Sequence, residues 1–373
     1  MNIQFVDLQA QYQSIKKEID AAISRVISKG IYIMGPEVQS FEEEMASYLK
    51  VDHAIGVASG TDALHLALLA CDIKAGDEVI TTPFTAPATT EVIKHCLATP
   101  VFVDIDSKTY NIDPFKIEKK ISKKTKAIIP VHLYGQSCDM DKIMIIARKY
   151  KLMVIEDCAQ ALGTEYKGDK VGSLGHVGCL SFFPANNLGA YGDGGMVVTS
   201  DEQIAEKVRI LRLHGSPEPY KYVMDGFNSR LDALQAAILR VKLKYLGEWI
   251  SLRNENAIIY NRLLENVYGI DTPFKQQGNR HSYNYYTINV TGGKPKRDEL
   301  RDYLRQQGIH AVIFYPNSMH LEQPYRHLKF KKDEFKVSEW AQDRVISLPI
   351  YPELTEKQIK QIVDEIRNFI GGS

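Results

Sequence analysis

SFFPANNLGAYGDGG, Ser181–Gly195, is the stretch on which the reading of this chain turns. It follows a short apolar run and closes in a Gly-rich turn ahead of Met196-Val197-Val198-Thr199, which reads as a second strand. A tight Gly- and Asn-rich loop between two buried strands lets backbone come close to a ligand. Upstream, in VIEDCAQALG, the apolar pair Val154-Ile155 runs into Glu156-Asp157 at its carboxyl end. Ligands of open α/β sheets sit beyond such strand ends, where an acid could hold the proton on a basic ring nitrogen.

The same grammar extends outward from this pair of segments. From His53 onward strands and helices alternate, which argues for an α/β fold with a mainly parallel sheet. His53–Ala58 reads as a strand and Ala63–Cys71 as the helix that Ser59-Gly60-Thr61-Asp62 opens. Strands are expected at 78–81, 100–103, 127–131 and 152–155, with helices at 90–97, 114–121 and 140–150, and a helix of about four turns after Asp201. Before this region, residues 9–50 read as helical, broken by a loop at Lys29–Pro36. After it, Arg230–Trp249 reads as one long amphipathic helix with Leu231, Leu234, Ile238, Val241 and Tyr245 on a stripe. Beyond about residue 255 a smaller α+β domain is expected. Its candidate strands are Tyr285–Val290 and Ala311–Phe314, and its helices are Arg297–Gln307 and Glu356–Phe369, the last entered by Leu354-Thr355. The expected division is residues 1–250 and 251–373.

The chain has 373 residues, enough for a large domain and a smaller one. Its 46 basic and 46 acidic residues balance, so no nucleic-acid footprint or polybasic membrane anchor is indicated. A phosphate-bearing ligand would have to be met by local groups. Five scattered cysteines without a CxxC pair read as reduced thiols, and no metal-ligand spacing is apparent. No basic-then-apolar leader pattern occurs at the start, and no apolar run nears about 18 residues, so a cytoplasmic location is expected.

Ser59-Gly60-Thr61, between a strand and a helix, could form an anion site from backbone N–H groups, a hydroxyl and the positive helix end. It could equally be a plain N-cap. Asp157 could be a loop carboxylate or the acid facing a ring nitrogen. Phe84, in Thr82-Pro83-Phe84-Thr85, and His320 have ordinary structural readings too.

Taken together, ED-x-A-Q and SFF-P-x-x-N-L-G-x-x-G-D-G-G resemble the DegT/DnrJ/EryC1/StrS family of sugar-nucleotide aminotransferases. The likeness runs from Phe5-Val6-Asp7-Leu8 to the C-terminal helix. It implies a fold-type I, aspartate aminotransferase-like α/β fold and pyridoxal 5'-phosphate (PLP), or its amine form, as cofactor. It further implies that Asp157 pairs with the pyridine nitrogen, Gln160 contacts the ring oxygen and Phe84 stacks on the ring. Gly60, Thr61 and Ser181 would hold the phosphate, with Asn228 of Gly226–Asp232 reaching a partner subunit's cofactor across a homodimer interface. Tyr32 of the GxYxxGP-type loop, with Tyr315 and His320 of the FYP-x-x-x-HL stretch, would line a sugar-nucleotide pocket. The substrates implied are a nucleotide-linked keto-sugar, in the dTDP-3-keto-6-deoxyhexose branch, and glutamate as amino donor. A nicotinamide enzyme is disfavoured, because G-x-G-x-x-G does not follow the first strand.

One position departs from the family pattern: its Schiff-base lysine place is taken by Asn186. An amide is neither nucleophilic nor basic near neutrality, so it can neither form the covalent link nor shuttle a proton. No lysine lies between Lys170 and Lys207 to take over by a slip of register. Three explanations stand: an inactive or trapping Lys-to-Asn variant, a member with altered chemistry such as a sugar dehydratase-like enzyme, or a catalytically silent homologue that binds cofactor or sugar nucleotide.

Overall fold

A computed structural model describes residues 2–371; Met1 and residues 372–373, which the domain ranges above include, lie outside them. The elements in chain order are α1 (Leu8–Lys29), α2 (Pro36–Leu49), β1 (His53–Val57), α3 (Gly60–Ala70), β2 (Glu78–Thr81), α4 (Pro87–His95), β3 (Thr99–Phe102), α5 (Pro114–Ile117), β4 (Thr125–Ile128), α6 (Met140–Tyr150) and β5 (Met153–Asp157). A small hairpin follows, β6 (Glu165–Tyr166) and β7 (Asp169–Lys170), then β8 (Val177–Ser181), β9 (Gly195–Thr199), α7 (Glu202–Leu211), α8 (Ala233–Leu243) and α9 (Leu246–Leu264). The remainder comprises β10 (Ile270–Asp271), β11 (Tyr286–Val290), α10 (Gly293–Gln306), α11 (Lys336–Gln342), β12 (Val345–Leu348) and α12 (Glu356–Gly371).

The central sheet has seven strands in the order β1-β9-β8-β5-β4-β2-β3. All run the same way except β9, which pairs antiparallel with both β1 and β8. Strands buried on both faces read as continuous apolar runs rather than alternating ones. That is the pattern of Ile55–Val57, Val154–Ile155 and Met196–Val198. One face is covered by α3, α4 and α7, with Leu64, Leu68, Val92, Ile93 and Val208 meeting Ile55, Ile155 and Val197. On the other face α1, α2 and α8 bury Ile19, Val26, Phe41, Met45, Ala237 and Val241 against Phe182, Leu188 and Val198.

The carboxyl ends of the parallel strands share one edge. There Val57 and Ser181 both pair with Gly195, so β1, β8 and the start of β9 meet. Asp157 ends β5 at the same edge, beside Val131. α3 starts here, its N-cap Ser59 accepting the Asp62 N–H at 3.1 Å.

Two expectations are corrected. The helix expected over Arg230–Trp249 is two helices, because the Tyr245 N–H closes on Lys242 O, three residues back, and ends α8 one turn before α9. Gly226–Asp232 leads directly into α8, with Asp232 as its N-cap, and is bridged on the way, Leu213 to Asn228 and Ile33 to Asp232. Ala311–Phe314 is not a strand: Val312 makes a single bridge, to Ser347, and the small antiparallel sheet is β10-β11-β12. α9 runs through the expected 250/251 division. Its Trp249 and Ile250 pack in the first core, whereas Ala257, Tyr260 and Leu264 join Ile3, Tyr286 and Ile362 in a second.

Candidate active site

Residues alternate faces along a strand, so Glu156 and Asp157 look opposite ways from β5. Glu156 is fully buried: one oxygen accepts the N–H groups of Leu174 and Gly175 at 2.8 and 2.6 Å, and the other meets Gly172 N and His132 Nε2, both at 2.9 Å. It ties the 170–175 turn and His132 to the strand. His132, Glu156 and Cys158 bring ligand-type atoms within 4.8 Å of one another, and burial pushes the Cys158 thiol well up, keeping it protonated.

Asp157 takes the opposite role. Its Oδ2 accepts the Thr89 hydroxyl at 2.7 Å and its Oδ1 the Ala159 N–H at 3.1 Å. Burial raises its carboxyl above the usual carboxylate range, against the pull of those two donors. Thr89, on the first turn of α4, is in turn 2.9 Å from the Thr85 hydroxyl. Nothing in the run TAPATTEV distinguishes Thr89 from its neighbours, so sequence reading missed it.

Gln160 is held at both ends of its amide: Oε1 accepts the Tyr134 N–H at 2.9 Å and Nε2 donates to the Tyr315 hydroxyl at 2.8 Å. Phe84 is fully buried and meets the Tyr315 ring edge-on at 6.2 Å. Two sets of contacts thus meet this edge: Asp157 with Thr89 and Thr85, and Gln160 with Tyr315 and Phe84. Tyr315 also walls a cavity of about 500 Å³ with Pro87, Lys94, Met319 and Tyr325.

Beside this group lies the α3 start. A Cβ placed on Gly60 would stand 2.5 Å from Ser181 Cβ, and one on Gly195 2.2 Å from Ser59 O. Only glycine permits backbone to pack so close, which leaves the α3 N-terminus, Thr61 and the Ser181 hydroxyl together. Asn228 is exposed, but Ser229 next to it is pinned to α3, donating to Asp62 Oδ2 at 2.6 Å. Tyr32 is 46% exposed, and its carbonyl accepts the Ala233 N–H at the start of α8. Within this chain those two side chains lie on the outer surface.

Asn186 follows Ser181 in the loop and is nearly buried. Its Nδ2 donates to Ser181 O at 3.1 Å, while Asn284 donates to its Oδ1 at 3.4 Å and accepts the Asn187 N–H at 3.0 Å. Asn284, another residue missed from sequence, reaches over from the segment leading into β11. His320 does not line the cavity that Tyr315 walls. It is enclosed, with Nε2 3.1 Å from Glu339 Oε1 on α11 and its ring 4.7 Å from Phe335.

A sheet-edge acid, a glycine-bared helix N-terminus and a polar loop over a mainly parallel sheet are consistent with the fold-type I α/β architecture of PLP-dependent aminotransferases. The chain belongs to the DegT/DnrJ/EryC1/StrS aminotransferase family, whose model matches residues 13–367. It is 46% identical to a pleiotropic regulatory protein of Geobacillus stearothermophilus over 371 residues, 99% of each chain. It is 43% identical to a dTDP-3-amino-3,6-dideoxy-alpha-D-galactopyranose transaminase of Aneurinibacillus thermoaerophilus over 367 residues, 98% of this chain and 99% of that one. Among solved structures it resembles S. venezuelae DesV in complex with a ketimine intermediate, with a TM-score of 0.95 and 39% identity over 99% and 98% of the two chains. The family is one of sugar aminotransferases that use PLP or its amine form. No helix among the described residues is long and apolar enough to cross a membrane.

Proposed function

We propose that this chain binds PLP or its amine form at the Asp157 edge, together with a dTDP-linked 3-keto-6-deoxyhexose or its aminated counterpart, as a cytoplasmic homodimer. The observation that carries this reading is the buried Asp157 carboxylate standing beside Gln160 and the Gly60–Ser181 cradle. A buried acid with a raised pKa and only two donors suits a cationic ring nitrogen. The cradle suits a phosphate.

When bound, the cofactor supplies an electrophilic carbon and a ring that accepts electrons. Asp157 would hold a proton on the ring nitrogen. Gln160, oriented by Tyr134 and Tyr315, would donate to the ring oxygen, and Phe84 would exclude water from the ring face. Ser181, Thr61 and the α3 N–H groups would bind the phosphate, with Asn228 serving the partner subunit's site. Tyr32 and Tyr315 would contact the sugar nucleotide. His320 is left out of this set, since its position behind the Phe335 ring suits a structural role.

Asn186 supplies no amine, so amino transfer from glutamate to the keto-sugar should be nearly absent in this chain. A second reading, a catalytically silent ligand-binding homologue, draws support from Asn186 itself, whose amide is satisfied by Ser181 and Asn284. Titration of the purified protein with PLP, followed by absorbance and by dialysis, tests the cofactor assignment. Saturable uptake that dialysis removes is expected; no uptake would overturn it. Adding an amino-sugar nucleotide to the loaded protein then separates the two readings: a changed spectrum supports the trapping variant, an unchanged one the silent homologue.

A further inference from the structure

Lys242 is the one lysine among the described residues that is buried. It lies on α8 with Nζ 2.6 Å from Gly189 O and 4.2 Å from the centre of the Tyr191 ring. Two turns earlier on the same helix, Gln235 grips Tyr191 on both sides: its Oε1 accepts the Tyr191 N–H at 2.8 Å and its Nε2 donates to Tyr191 O at 3.2 Å. The loop these contacts hold is the one that carries Asn186. Its turn is tight, since a Cβ on Gly189 would fall 2.2 Å from Pro184 O, and the Ala190 N–H closes on Phe182 O at 2.8 Å.

Burying an ammonium against one carbonyl and one ring is costly, and an aliphatic side chain would fill the same space more cheaply. A charge kept under such conditions has a positional consequence: the carbonyl it faces cannot rotate away without stranding both partners. We propose that Lys242 is a positioning residue that, with Gln235, locks the 184–191 turn from beneath and so sets where residue 186 and the Ser181 hydroxyl stand relative to Asp157. The effect on the cofactor rests on the reading above; the effect on the loop does not.

Burial lowers the Lys242 pKa to about 7, opposed by the Glu353 carboxylate. The ionisable groups around it are Tyr191 from the loop, with Tyr12 of α1 against that ring, and Glu353, which has Arg253 of α9 and Asp7 beside it. Arg253 donates to Tyr283 O and Ile350 O. The clamp is therefore strongest below pH 7 and weakens as the ammonium loses its proton.

The test is amide hydrogen exchange of the cofactor-free protein at pH 6 and pH 8, corrected for intrinsic rates, in the parent, Lys242→Met and Gln235→Met. In the parent the Ala190 and Tyr191 amides should lose protection from pH 6 to pH 8. In Lys242→Met they should exchange at least about tenfold faster than the parent at pH 6 and be insensitive to this pH change, while the amides of β8 stay protected and the melting temperature does not fall. Gln235→Met should loosen Tyr191 yet keep the pH response. PLP affinity of Lys242→Met should fall about tenfold. Unchanged loop protection in Lys242→Met, or a loss shared equally by loop and β8 with a falling melting temperature, would overturn the positioning role. If the parent takes up no PLP, the cofactor reading fails, and the exchange result still decides the loop.

Discussion

Replacing Asp157 by asparagine keeps shape and removes charge. In the cofactor-free protein this should cost little. The Ala159 N–H keeps an oxygen to donate to, and the Thr89 hydroxyl, 2.7 Å from Oδ2, can turn to accept from the new amide. Burial raises the Asp157 pKa, so the folded state binds this proton more tightly than the unfolded chain does. Stability then falls as pH rises from the unfolded towards the folded pKa, and the penalty persists above it. Asparagine removes that penalty at neutral pH, so unfolding free energy should stay within about 1 kcal/mol of the parent or rise. Cofactor binding should move the other way. A charge-assisted hydrogen bond from a ring N–H to a buried carboxylate is worth about 1.5–3 kcal/mol, a loss of about 10- to 150-fold in affinity. Absorbance titration with PLP, alongside urea unfolding without it, measures both. A dissociation constant within about twofold of the parent, with folding intact, would refute the pairing of Asp157 with the ring nitrogen.

Asn186→Lys should convert dialysable PLP binding into retention that borohydride makes permanent, seen as added protein mass, and restore amino transfer from glutamate to a keto-sugar nucleotide; cofactor still lost on dialysis would contradict the placement of residue 186. Gly60→Ala drives a Cβ to 2.5 Å from Ser181. It should cost about 1–3 kcal/mol of stability and weaken PLP about tenfold while leaving phosphate-free pyridoxal nearly unaffected; equal losses for both ligands would place the phosphate elsewhere. Between pH 7 and pH 10 the folded state binds the Lys242 proton less than the unfolded chain, so stability should rise with pH relative to Lys242→Met. The slope approaches about 1.4 kcal/mol per pH unit, read from urea midpoints, and parallel curves would show an ordinary lysine.

What could be read from the chain was what short range encodes. The alternation of apolar runs with capped helices located the sheet, and Asp157 at the end of Val154-Ile155 marked the carboxyl edge of its parallel strands. The partners of that acid were not legible, because Thr89 lies 68 residues away and no local pattern announces the contact. Asn284, 97 residues from Asn187, is hidden for the same reason. The break between α8 and α9 escaped notice because the hydrophobic stripe continues across it; only the tightened Lys242–Tyr245 turn reveals it. The enclosure of His320 was not legible because it depends on Glu339, 19 residues further on α11. The role of β9 needed topology, since an apolar run does not reveal its direction.

Asn284 makes the loop above the acid dependent on a segment that belongs, by packing, with the smaller sheet. A chimera that exchanged the C-terminal third of this chain for that of a relative would therefore import a new neighbour for residues 186 and 187. Swapping specificity by cutting at the α9 helix would alter the catalytic half as well, unless the graft began beyond Tyr285.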